Sequence, residues 1–493
     1  MINTTRFTLL LCLLAAPILL TAQAPDTTST EGFSMGGGFG TIMMGDNTYT
    51  QIRLMPELVF GKIGIGLDVD ILIDEQGNVR EEDWDEFEDY LAKIYYIRYA
   101  RRGDPFFARI GGFPGYTLGH GLVMQNYSNM LRYPEHRQIG LQLGGNIPVS
   151  GLQVEAYTSN LVENDILAGR ASFQPLQAME LPLLSSLRLG GTYATDLNQY
   201  NGLLDSDNDN YPDYFDDYPY DDNWHDEVDY EIDERREAYK DITGSYDGFE
   251  DWFANSTFID SLRNKDFDDF GESEVSVMGI DYELPLIMTD HFTLTHYGEA
   301  AQIVDHNMGF IWPGFGMRFL IFQVTLEHRY YQEDFEPAFF DNLYEENRAR
   351  VVGDSVIVKS ETLPYNQQMQ GWYGSVTAHL FHTLFLKIAY EDMYGDDVEN
   401  GKSLWAGVWL DQSFIPRLTT ARVDYSQTRV DNVFTDFKTP STLITGRAGF
   451  SVGGSAELVA KYQERYIDLD GNGEINGNDE TIKTMAFGVE FRF

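Results

Sequence analysis

Two short stretches of the sequence place oxygen-bearing side chains at the spacing that a calcium ion requires. In the first, the donors follow the pattern of a 12-residue loop with Gly473 at its sixth position. The donor residues are Asp468, Asp470, Asn472, Glu474, Asn476 and Asp479. This spacing wraps the backbone around Ca²⁺ and supplies six or seven oxygens, with Glu474 contributing its main-chain carbonyl. The segment is predicted to bind calcium; the alternative is an acidic turn that binds no ion.

A second stretch has similar spacing within the most acidic part of the chain. Its carboxylates stand at loop positions 1, 3, 5, 9 and 12, and Asn210 replaces the glycine that is usual at the sharp turn. The carboxylates belong to Asp205, Asp207, Asp209, Asp213 and Asp216. Asparagine adopts positive φ more readily than most residues, so the departure is compatible with a calcium loop. The alternative is a solvated acidic loop.

Both stretches resemble known calcium loops. The segment 468–479 is similar to an EF-hand loop, and more closely to the calcium loop of dockerin modules, which also ends in Asp. The segment 205–217 looks like a thrombospondin type-3 calcium repeat. These resemblances cover only the short loops themselves. They imply structural Ca²⁺, not catalysis or recognition of a protein partner.

The segments outside these loops alternate between apolar and polar residues. Among the last nine residues, Met485, Phe487, Val489, Phe491 and Phe493 alternate with small or charged residues. A terminal strand with one lipid-facing and one water-facing side is typical of a transmembrane β-barrel. This ending also resembles the C-terminal signal of bacterial outer-membrane barrels. The resemblance implies insertion by the barrel-assembly machinery through the C-terminal strand.

The same alternation runs along the chain and predicts an all-β fold, a transmembrane antiparallel β-barrel of about 18–20 strands with long extracellular loops. The candidate strands lie near 33–44, 50–60, 62–73, 93–102, 106–115, 137–146, 150–160, 166–175, 186–196, 274–286, 292–304, 309–319, 322–333, 368–379, 383–393, 403–413, 417–429, 441–451, 454–466 and 482–493. After the N-terminal segment, no stretch has the roughly 18 apolar residues of a spanning helix. The alternative is a secreted β-sandwich or propeller.

The predicted connections alternate in length. They are mostly tight after even-numbered strands, whereas several after odd-numbered strands are long: 74–92, 116–136, 197–273, 334–367 and 467–481. Bacterial barrels have short periplasmic turns and long outer loops. We therefore predict an even strand number, both termini in the periplasm, and both calcium loops outside the cell. Calcium would stiffen the acidic extracellular insert at 197–273 and the loop at 467–481.

The N-terminal segment supports export. Arg6 precedes an apolar run, and Ala22-Gln23-Ala24 supplies the small residues of a cleavage site. Residues 1–24 are therefore predicted to be a signal peptide, and residues 25–493 a barrel of the bacterial outer membrane. The alternative is a retained N-terminal anchor.

Charge and motif content exclude several classes of function. The chain has a formal net charge of −44, and residues 201–272 hold 24 Asp and Glu against five Lys and Arg. Such a surface repels nucleic acid and attracts divalent cations. The nine histidines are scattered, and neither a Gly-x-Ser-x-Gly nor a His-Glu-x-x-His motif is present. We therefore predict neither nucleic-acid binding nor enzymatic activity.

The most basic part of this acidic chain surrounds the loop 116–136, which is predicted to fold inward, as long loops after an early strand commonly do in porins. The candidates for pore lining are Arg98, Arg109, Arg132, His136 and Arg137. A basic patch there would guide anionic solutes. Alternatively, the arginines pair with lumen carboxylates such as Glu155.

Aromatic residues near the predicted strand ends give a second expectation. Trp405, Trp409, Tyr390 and Tyr425 are predicted to belong to the aromatic girdles at the two membrane surfaces. The alternative is that lumen aromatics stack on carbohydrate.

Over its mature length the chain resembles outer-membrane porin-like barrels, by architecture and not by a family signature. The resemblance implies a passive channel for small polar solutes, which selects by pore width and lining charge. Outer-membrane lipid would surround it, and a homo-oligomer is left open. The alternatives are a surface scaffold or adhesin anchored by a plugged barrel, and an outer-membrane hydrolase.

Overall fold

The structure is a computed structural model, and it describes most of the chain between residues 32 and 492. The gaps within that range are 45–46, 75, 81–83, 85–86, 133–136, 148–150, 162–164, 180, 182, 204, 206–210, 217, 219–234, 238, 241, 247, 250–271, 353–354, 381–382, 397, 399, 412–414, 436, 454–455, 467–474 and 476–479. The predicted signal peptide at 1–24 lies outside the described residues.

The dominant element is one antiparallel sheet that closes on itself into a 20-strand barrel. Its strands are β1 Gly32–Met44, β2 Asn47–Phe60, β3 Ile63–Leu67 with Val69–Ile73, β4 Ile94–Tyr99, β5 Phe106–Gly111, β6 Gly140–Ile147, β7 Leu152–Thr158, β8 Ile166–Phe173, β9 Arg188–Asp196, β10 Val275–Met288, β11 Phe292–Ile303, β12 Met308–Phe319, β13 Phe322–Tyr331, β14 Met369–Leu380, β15 Leu384–Tyr394, β16 Lys402–Asp411, β17 Leu418–Val430, β18 Thr442–Gly453, β19 Ala456–Tyr466 and β20 Thr481–Arg492. Each strand pairs with the next one in sequence. Pairing of Ser34 with Arg492 and of Gly37 with Val489 joins β1 to β20 and closes the ring.

The prediction of an all-β barrel with an even number of strands is confirmed, and each predicted strand is present within a few residues of its expected bounds. The largest difference lies in β5, which ends at Gly111 and not near 115. Gly111 has a φ of 118°, and a Cβ there would press on the backbone of Tyr95 and Tyr96. Only glycine lets the chain leave the barrel wall at this point.

The outer face of the barrel carries an apolar belt. Ile280 is 70% exposed and Phe487 66% exposed, although both lie in the middle of paired strands. Ile388, Val408 and Val423 are also exposed, on neighbouring strands. Apolar side chains are stable in such positions when lipid covers them, and a closed ring leaves no open backbone edge in that lipid. The fold is therefore that of a transmembrane β-barrel.

Two short hairpins and a few short helices lie in the connections. One hairpin pairs Tyr116–Leu118 with Met124–Tyr127, and the other pairs Ala349–Val352 with Ser355–Val358. The described connections include the short α-helices Phe87–Ala92 and Tyr344–Asn347 and the 3₁₀ helices Leu184–Ser186, Gln199–Gly202 and Lys359–Tyr365. Within the described part of the chain, none of the helices has the length and apolarity needed to cross a membrane.

A second compact unit consists of residues 197–274 and 345–362, so two connections that are distant in sequence form one body. The hairpin strands at 349–352 and 355–358 pack against Tyr200, Leu203 and Phe215. The side chain of Gln199 donates a hydrogen bond to Ser360 Oγ at 2.8 Å, and its oxygen accepts one from the backbone N of Ser360 at 3.0 Å. Hydrogen bonds and apolar packing therefore join the acidic insert to the loop 345–362. The periodicity of the strands in the sequence cannot predict this pairing.

Candidate functional site

The candidate site is the interior of the barrel, where two connections pack against inward-facing side chains. The first connection, residues 112–139, joins β5 to β6 and includes the hairpin at 116–127. Leu118, Leu122, Val123 and Met124 in this segment are at most 2% exposed. Gly279 on β10 faces Val123 so closely that an added Cβ would lie 2.8 Å from the valine Cγ2. The segment 116–130 therefore lies directly on the inner wall.

The second connection contributes residues 334–344, which follow β13. The backbone N of Gln125 donates to the carbonyl of Phe340 at 3.0 Å, and the N of Ala338 donates to the carbonyl of Leu122 at 2.8 Å. Phe335, Phe339 and Phe340 are at most 1% exposed. We call residues 113–130 and 334–344 together the inner cluster.

Inward-facing apolar residues of the strands complete this core. They are Tyr157, Ile166, Ala168, Ala194, Val275, Val277, Tyr297, Ala301, Ile303, Ile311, Tyr331 and Met393. With the exception of Met393 on β15, these residues belong to β7–β13. Gly309 on β12 has no side chain because the ring of Phe335 occupies that space. The inner cluster is thus packed against one side of the barrel wall.

The tip of the first connection rests on a charged patch of the wall. Glu299 on β11 is buried, and its Oε2 accepts a hydrogen bond from the backbone N of Leu122 at 2.9 Å. The ring of His120 stacks on that of Tyr297 with 4.1 Å between centroids. Burial lowers the pKa of His120, so its ring is neutral at pH 7. The tip is therefore held by hydrogen bonding and stacking, with no formal charge on the histidine.

Next to the tip, Arg170 on β8 and Asp281 on β10 form a bidentate ion pair across the wall, with N–O distances of 2.5 and 2.9 Å. His120 Nε2 lies 4.0 Å from Asp281 Oδ1. Paired geometry of this kind fixes both side chains, because two parallel hydrogen bonds restrict the guanidinium plane. Sequence reasoning did not identify Arg170, Asp281 or Glu299. The available signal was a charged residue within a mostly small or apolar strand, isolated in the case of Arg170 and Glu299 and accompanied by Glu283 in the case of Asp281.

Glu155 on β7 anchors the base of the first connection. It accepts hydrogen bonds from the Tyr116 hydroxyl at 2.6 Å and from Gln142 Nε2 at 2.7 Å. Arg102 donates to Glu155 at 3.0 Å and also to the carbonyl of Thr117 at 3.0 Å. One carboxylate therefore ties the hairpin to the turn between β4 and β5. This ion pair matches the alternative given above, in which arginines around the loop 116–136 pair with lumen carboxylates such as Glu155.

Asn129 is a second residue that holds the first connection in place, and its replacement tests this role. Its Oδ1 accepts from the backbone N of Phe113 at 2.7 Å, and its Nδ2 donates to the carbonyl of Ser159 at 2.8 Å. We expect Asn129→Leu to lower the free energy of unfolding by about 1–3 kcal/mol, because a buried N–H would lose its partner. Urea titration followed by tryptophan fluorescence measures this. The exposed Asn201→Leu is the control, and an equal loss in both variants would contradict the anchoring role.

Four of the five residues predicted to line the pore have described positions, and His136 lies outside the described residues. Arg98 and Arg109 are directly opposite each other on β4 and β5. The Arg109 guanidinium lies 5.2 Å from the ring centroids of both Tyr96 and Phe113, and it donates to the carbonyl of Gly112 at 2.8 Å. Arg132 is partly exposed at the end of the first connection.

Arg137 ties the end of the same connection to the interrupted strand β3. It forms an ion pair with Asp70 at 2.6 Å and donates to the carbonyl of Asp68 at 2.9 Å. Arg53 on β2 in turn pairs with the carboxylate of Asp68, and both side chains are buried. The arginines near this connection are thus engaged with carboxylates, carbonyls and aromatic rings of the wall.

A second buried ion network lies on β13 and β15. Arg329 Nε donates to Glu327 Oε2 at 2.8 Å, and its Nη1 pairs with Glu391. The Tyr297 hydroxyl donates to the other oxygen of Glu327 at 2.6 Å. Tyr373 on β14 covers the guanidinium at 4.0 Å. This network borders the inner cluster on the side of β14.

Polar side chains on the inner wall formed by β14–β19 are more exposed than the wall of β7–β13, which the inner cluster covers. Lys387 is exposed, and the side chains of Arg422 and Asp424 are 22% and 27% exposed. Trp409 Nε1 donates to Asp424 Oδ1 at 2.9 Å, which places the indole on the same face as this ion pair. Polar and aromatic groups on this wall are therefore accessible from the barrel interior.

The placement of Trp405 and Trp409 corrects the girdle prediction for these two residues. Trp405 pairs across strands with the buried, inward-facing Ala389, and the register puts Trp409 on the same face of β16. Tyr390 and Tyr425 occupy the opposite face, on register rows with Leu404 and Ala406. The alternation of β16 is apolar on both faces, so the sequence alone cannot choose between them.

The predicted calcium ligands are only partly described. Asp468, Asp470, Asn472, Glu474, Asn476 and Asp479 lie outside the described residues, as do Asp207 and Asp209. Asp205, Asp213 and Asp216 lie in the second unit, where Asp216 is buried and accepts a hydrogen bond from the backbone N of Tyr218 at 2.6 Å. Within the described ranges, no group of three His, Cys, Asp or Glu side chains is arranged to hold a metal ion.

Comparisons with known proteins were made for the whole chain. No family model and no curated protein match it. Among solved structures it is similar to Pseudomonas aeruginosa OccK2 (OpdF) in complex with glucuronate, at 8% identity and a TM-score of 0.31, covering 94% of this chain and 97% of that one. It is also similar to the FrpB iron transporter from Neisseria meningitidis, at 10% identity and a TM-score of 0.35, covering 95% and 82%. At these TM-scores the similarity supports no argument about function.

Proposed function

We propose that the protein is a passive channel for small polar solutes in the bacterial outer membrane. The observation that carries this proposal is the partly exposed polar wall of β14–β19, opposite the side where the inner cluster packs. Roughly 20 strands enclose more space than their own side chains fill. Solutes would pass along the polar wall, and pore width and lining charge would select among them without any covalent step.

The lengths of the connections support a proposed orientation of the barrel in the membrane. Most connections at the end of the barrel that holds both strand termini, Gly32 and Arg492, are short turns, and the long connections start from the other end. We infer a periplasmic location for the short-turn end and an extracellular one for the acidic insert, as in other bacterial barrels. The exposed outward side chains of β20, Met485 and Phe487, suit its proposed recognition by the assembly machinery.

Conductance tests the proposal. The refolded protein would be reconstituted in planar lipid bilayers, after heat-modifiable migration on gels has shown that it is folded. We expect stable open steps that scale with salt concentration. Folded protein that gives no steps would overturn the channel reading.

One observation favours a second candidate, a surface scaffold or adhesin anchored by a plugged barrel. The inner cluster is apolar and densely packed, as a permanent plug would be, and the sequence of the insert at 197–273 is strongly acidic. This candidate would be supported if folded protein gave no conductance steps in bilayers and the purified protein bound to a surface polymer or host matrix.

We propose that structural Ca²⁺ binds at both predicted loops, of which the candidate ligands Asp205, Asp213 and Asp216 belong to the second unit. Calcium that binds the folded form stabilises it by about 2.7 kcal/mol at a free concentration of 100 Kd. We expect chelation to speed proteolysis within 197–273 and 467–481 while the strands stay protected. The paired variants D205N/D207N and D468N/D470N should each abolish the calcium effect at their own loop. Cleavage that is unaffected by calcium in the native chain would contradict the proposal.

A further inference from the structure

Two tryptophans face the barrel interior from the same strand. Trp405 and Trp409 lie on the inner face of β16 with Gly407 between them, and both indoles are partly exposed. Four residues of a strand span about 13 Å. The two rings therefore follow one another along the inner wall, where a solute can reach them.

Tyr373 on β14 extends this surface around the barrel. Its ring meets that of Trp405 edge-on, with 6.1 Å between centroids. The intervening strand β15 places the small Ala389 opposite Trp405, which leaves room for this contact. The Tyr373 ring also lies 4.0 Å from the Arg329 guanidinium, at the edge of the inner cluster. We call Tyr373, Trp405 and Trp409 the aromatic strip.

The aromatic strip is turned away from lipid. The neighbouring residues Trp372, Ile388 and Val408 point outward, and they are 46%, 54% and 49% exposed on the apolar belt. Among the described residues, the apolar core of the inner cluster does not include Trp405 or Trp409. The strip thus leaves apolar surface open toward the interior, and open apolar surface in a concave wall is a mark of ligand sites.

The wall around Trp409 holds its indole in one position. Trp409 Nε1 donates to Asp424 Oδ1 at 2.9 Å, and the Arg422 guanidinium lies 4.8 Å from the centroid of the ring. A Cβ at Gly407 would lie 3.1 Å from Trp409 Cζ2 and 3.0 Å from Asp424 Oδ1. The glycine therefore gives the indole room to lean along the strand and to reach its acceptor.

The charges beside the aromatic strip are compensated. Arg422 and Asp424 form an ion pair, and their side chains are 22% and 27% exposed. The pair can still donate and accept hydrogen bonds toward the interior, but it carries no net charge. Ser426 is directly opposite Trp405 and adds a partly exposed hydroxyl. This part of the wall therefore suits an uncharged solute with hydroxyl groups.

A solute that uses both features needs apolar ring faces and a polar edge. A pyranose sugar has this form, because its faces carry C–H groups and its edge carries hydroxyls. Oxygen atoms polarise those C–H groups, which are then attracted to the negative face of an aromatic ring. We propose that the aromatic strip is a binding subsite for neutral sugars, and for oligosaccharides whose rings meet Trp405 and Trp409 in turn. This inference rests on the proposed channel and names its substrate class.

Calorimetric titration of the folded protein in detergent is the first test, and it requires no open pore. The probes are maltohexaose and xylohexaose, which differ in linkage and in the groups on their rings. We expect saturable binding, and the stronger binder identifies the type of sugar. The variant W405L/W409L keeps apolar side chains but removes the flat rings, so binding should be at least about tenfold weaker. W405F/W409F keeps ring faces and should retain most of the binding.

The controls address the protein and the ligand separately. W372L removes an indole from the lipid-facing side and should bind as the native chain does. Sorbitol has the hydroxyls of glucose without its ring and should not bind. Failure of both oligosaccharides to bind, or equal binding by the native chain and W405L/W409L, would overturn the subsite. Tighter binding of tryptophan amide than of either oligosaccharide would indicate an aromatic solute and would overturn the sugar assignment.

Channel recordings separate this proposal from the proposed function. The oligosaccharide that binds should interrupt the ion current of the native chain, and interrupt that of W405L/W409L far less. Open steps in bilayers without sugar binding in the calorimeter would leave the channel standing and overturn the subsite. Silent bilayers with binding that depends on the tryptophans would overturn the channel and keep the sugar site.

Discussion

Replacing residues 118–125 with two glycines should raise single-channel conductance by at least about twofold, because the replaced segment fills interior space between the wall and residues 334–344. It includes Leu122, Val123 and Met124, which are fully or almost fully buried against the wall and the second connection. Removing them takes away the backbone hydrogen bonds to Phe340 and Ala338. The remaining residues 334–344 would lose their partner and loosen.

The geometry permits this replacement without opening the barrel. The backbone N of Asn126 lies 2.9 Å from Thr117 Oγ1, so the two chain ends are already adjacent and a two-residue turn can join them. The anchors at Tyr116 and Asn129 are retained. The variant should therefore fold, and heat-modifiable migration on gels checks that it does.

The matched control is Leu122→Met, which keeps an apolar side chain of similar volume in the cluster. Its conductance should equal that of the native chain. If the shortened variant also conducts like the native chain while its fold is intact, the inner cluster does not limit the pore. If both the native chain and the shortened variant are silent, the interior is closed by other residues and the anchored scaffold becomes the better reading.

Arg329→Met should be the most destabilising single substitution among those considered, with a loss of about 3–5 kcal/mol in the free energy of unfolding. Arg329 is buried and pairs with both Glu327 and Glu391, so its removal leaves two buried carboxylates without their cation. Uncompensated charge of this kind costs more than the ion pair itself contributes. Urea unfolding in detergent, followed by tryptophan fluorescence, measures the loss.

The triple variant R329M/E327Q/E391Q is the matched control. It removes the cation and both negative charges together, so most of the lost stability should return. The E327Q substitution keeps an oxygen acceptor for the Tyr297 hydroxyl, which preserves the contact with the tyrosine beneath His120. A triple variant as unstable as Arg329→Met would show that packing against Tyr373, and not charge balance, dominates at this position.

The sequence predicts the barrel well because one face of each strand contacts lipid and the other faces the barrel interior. Alternation such as Met485, Phe487 and Val489 against small or polar residues recurs in most strands, and tight turns mark many of the points where it restarts. Apolar residues on both faces give no such signal. Trp405 and Trp409 alternate with Leu404, Ala406 and Val408, so either face satisfies the pattern, and only the register with Ala389 decides.

The interior is much less predictable. Leu122 and Ala338 are joined by a backbone hydrogen bond across more than two hundred residues of chain, and no local pattern encodes that contact. The side-by-side placement of Arg422, Arg447 and Lys461 depends on register as well, because these residues give no signal until their strands are aligned. The arginines near the first connection form a cluster in sequence and Glu155 was named as a possible partner, but the contacts of Arg109 with Tyr96 and of Arg137 with Asp70 gave no such signal. The calcium loops remain predictions from spacing.

The join between β1 and β20 has a consequence for how the ring opens and forms. The described register pairs 13 residues of β1 with β2, from Gly32 to Met44, but only Ser34–Gly37 with β20. Glycines at 36, 37, 38 and 40 give β1 few side chains with which to reinforce that edge. The join is therefore a weak link of the ring, as short as the four-pair join between β4 and β5, and its amide hydrogens should exchange early under denaturant. We expect the pairing of β1 with β20 to form last during assembly. Substitutions in β1 should therefore change the rate at which the barrel closes more than they change the final fold.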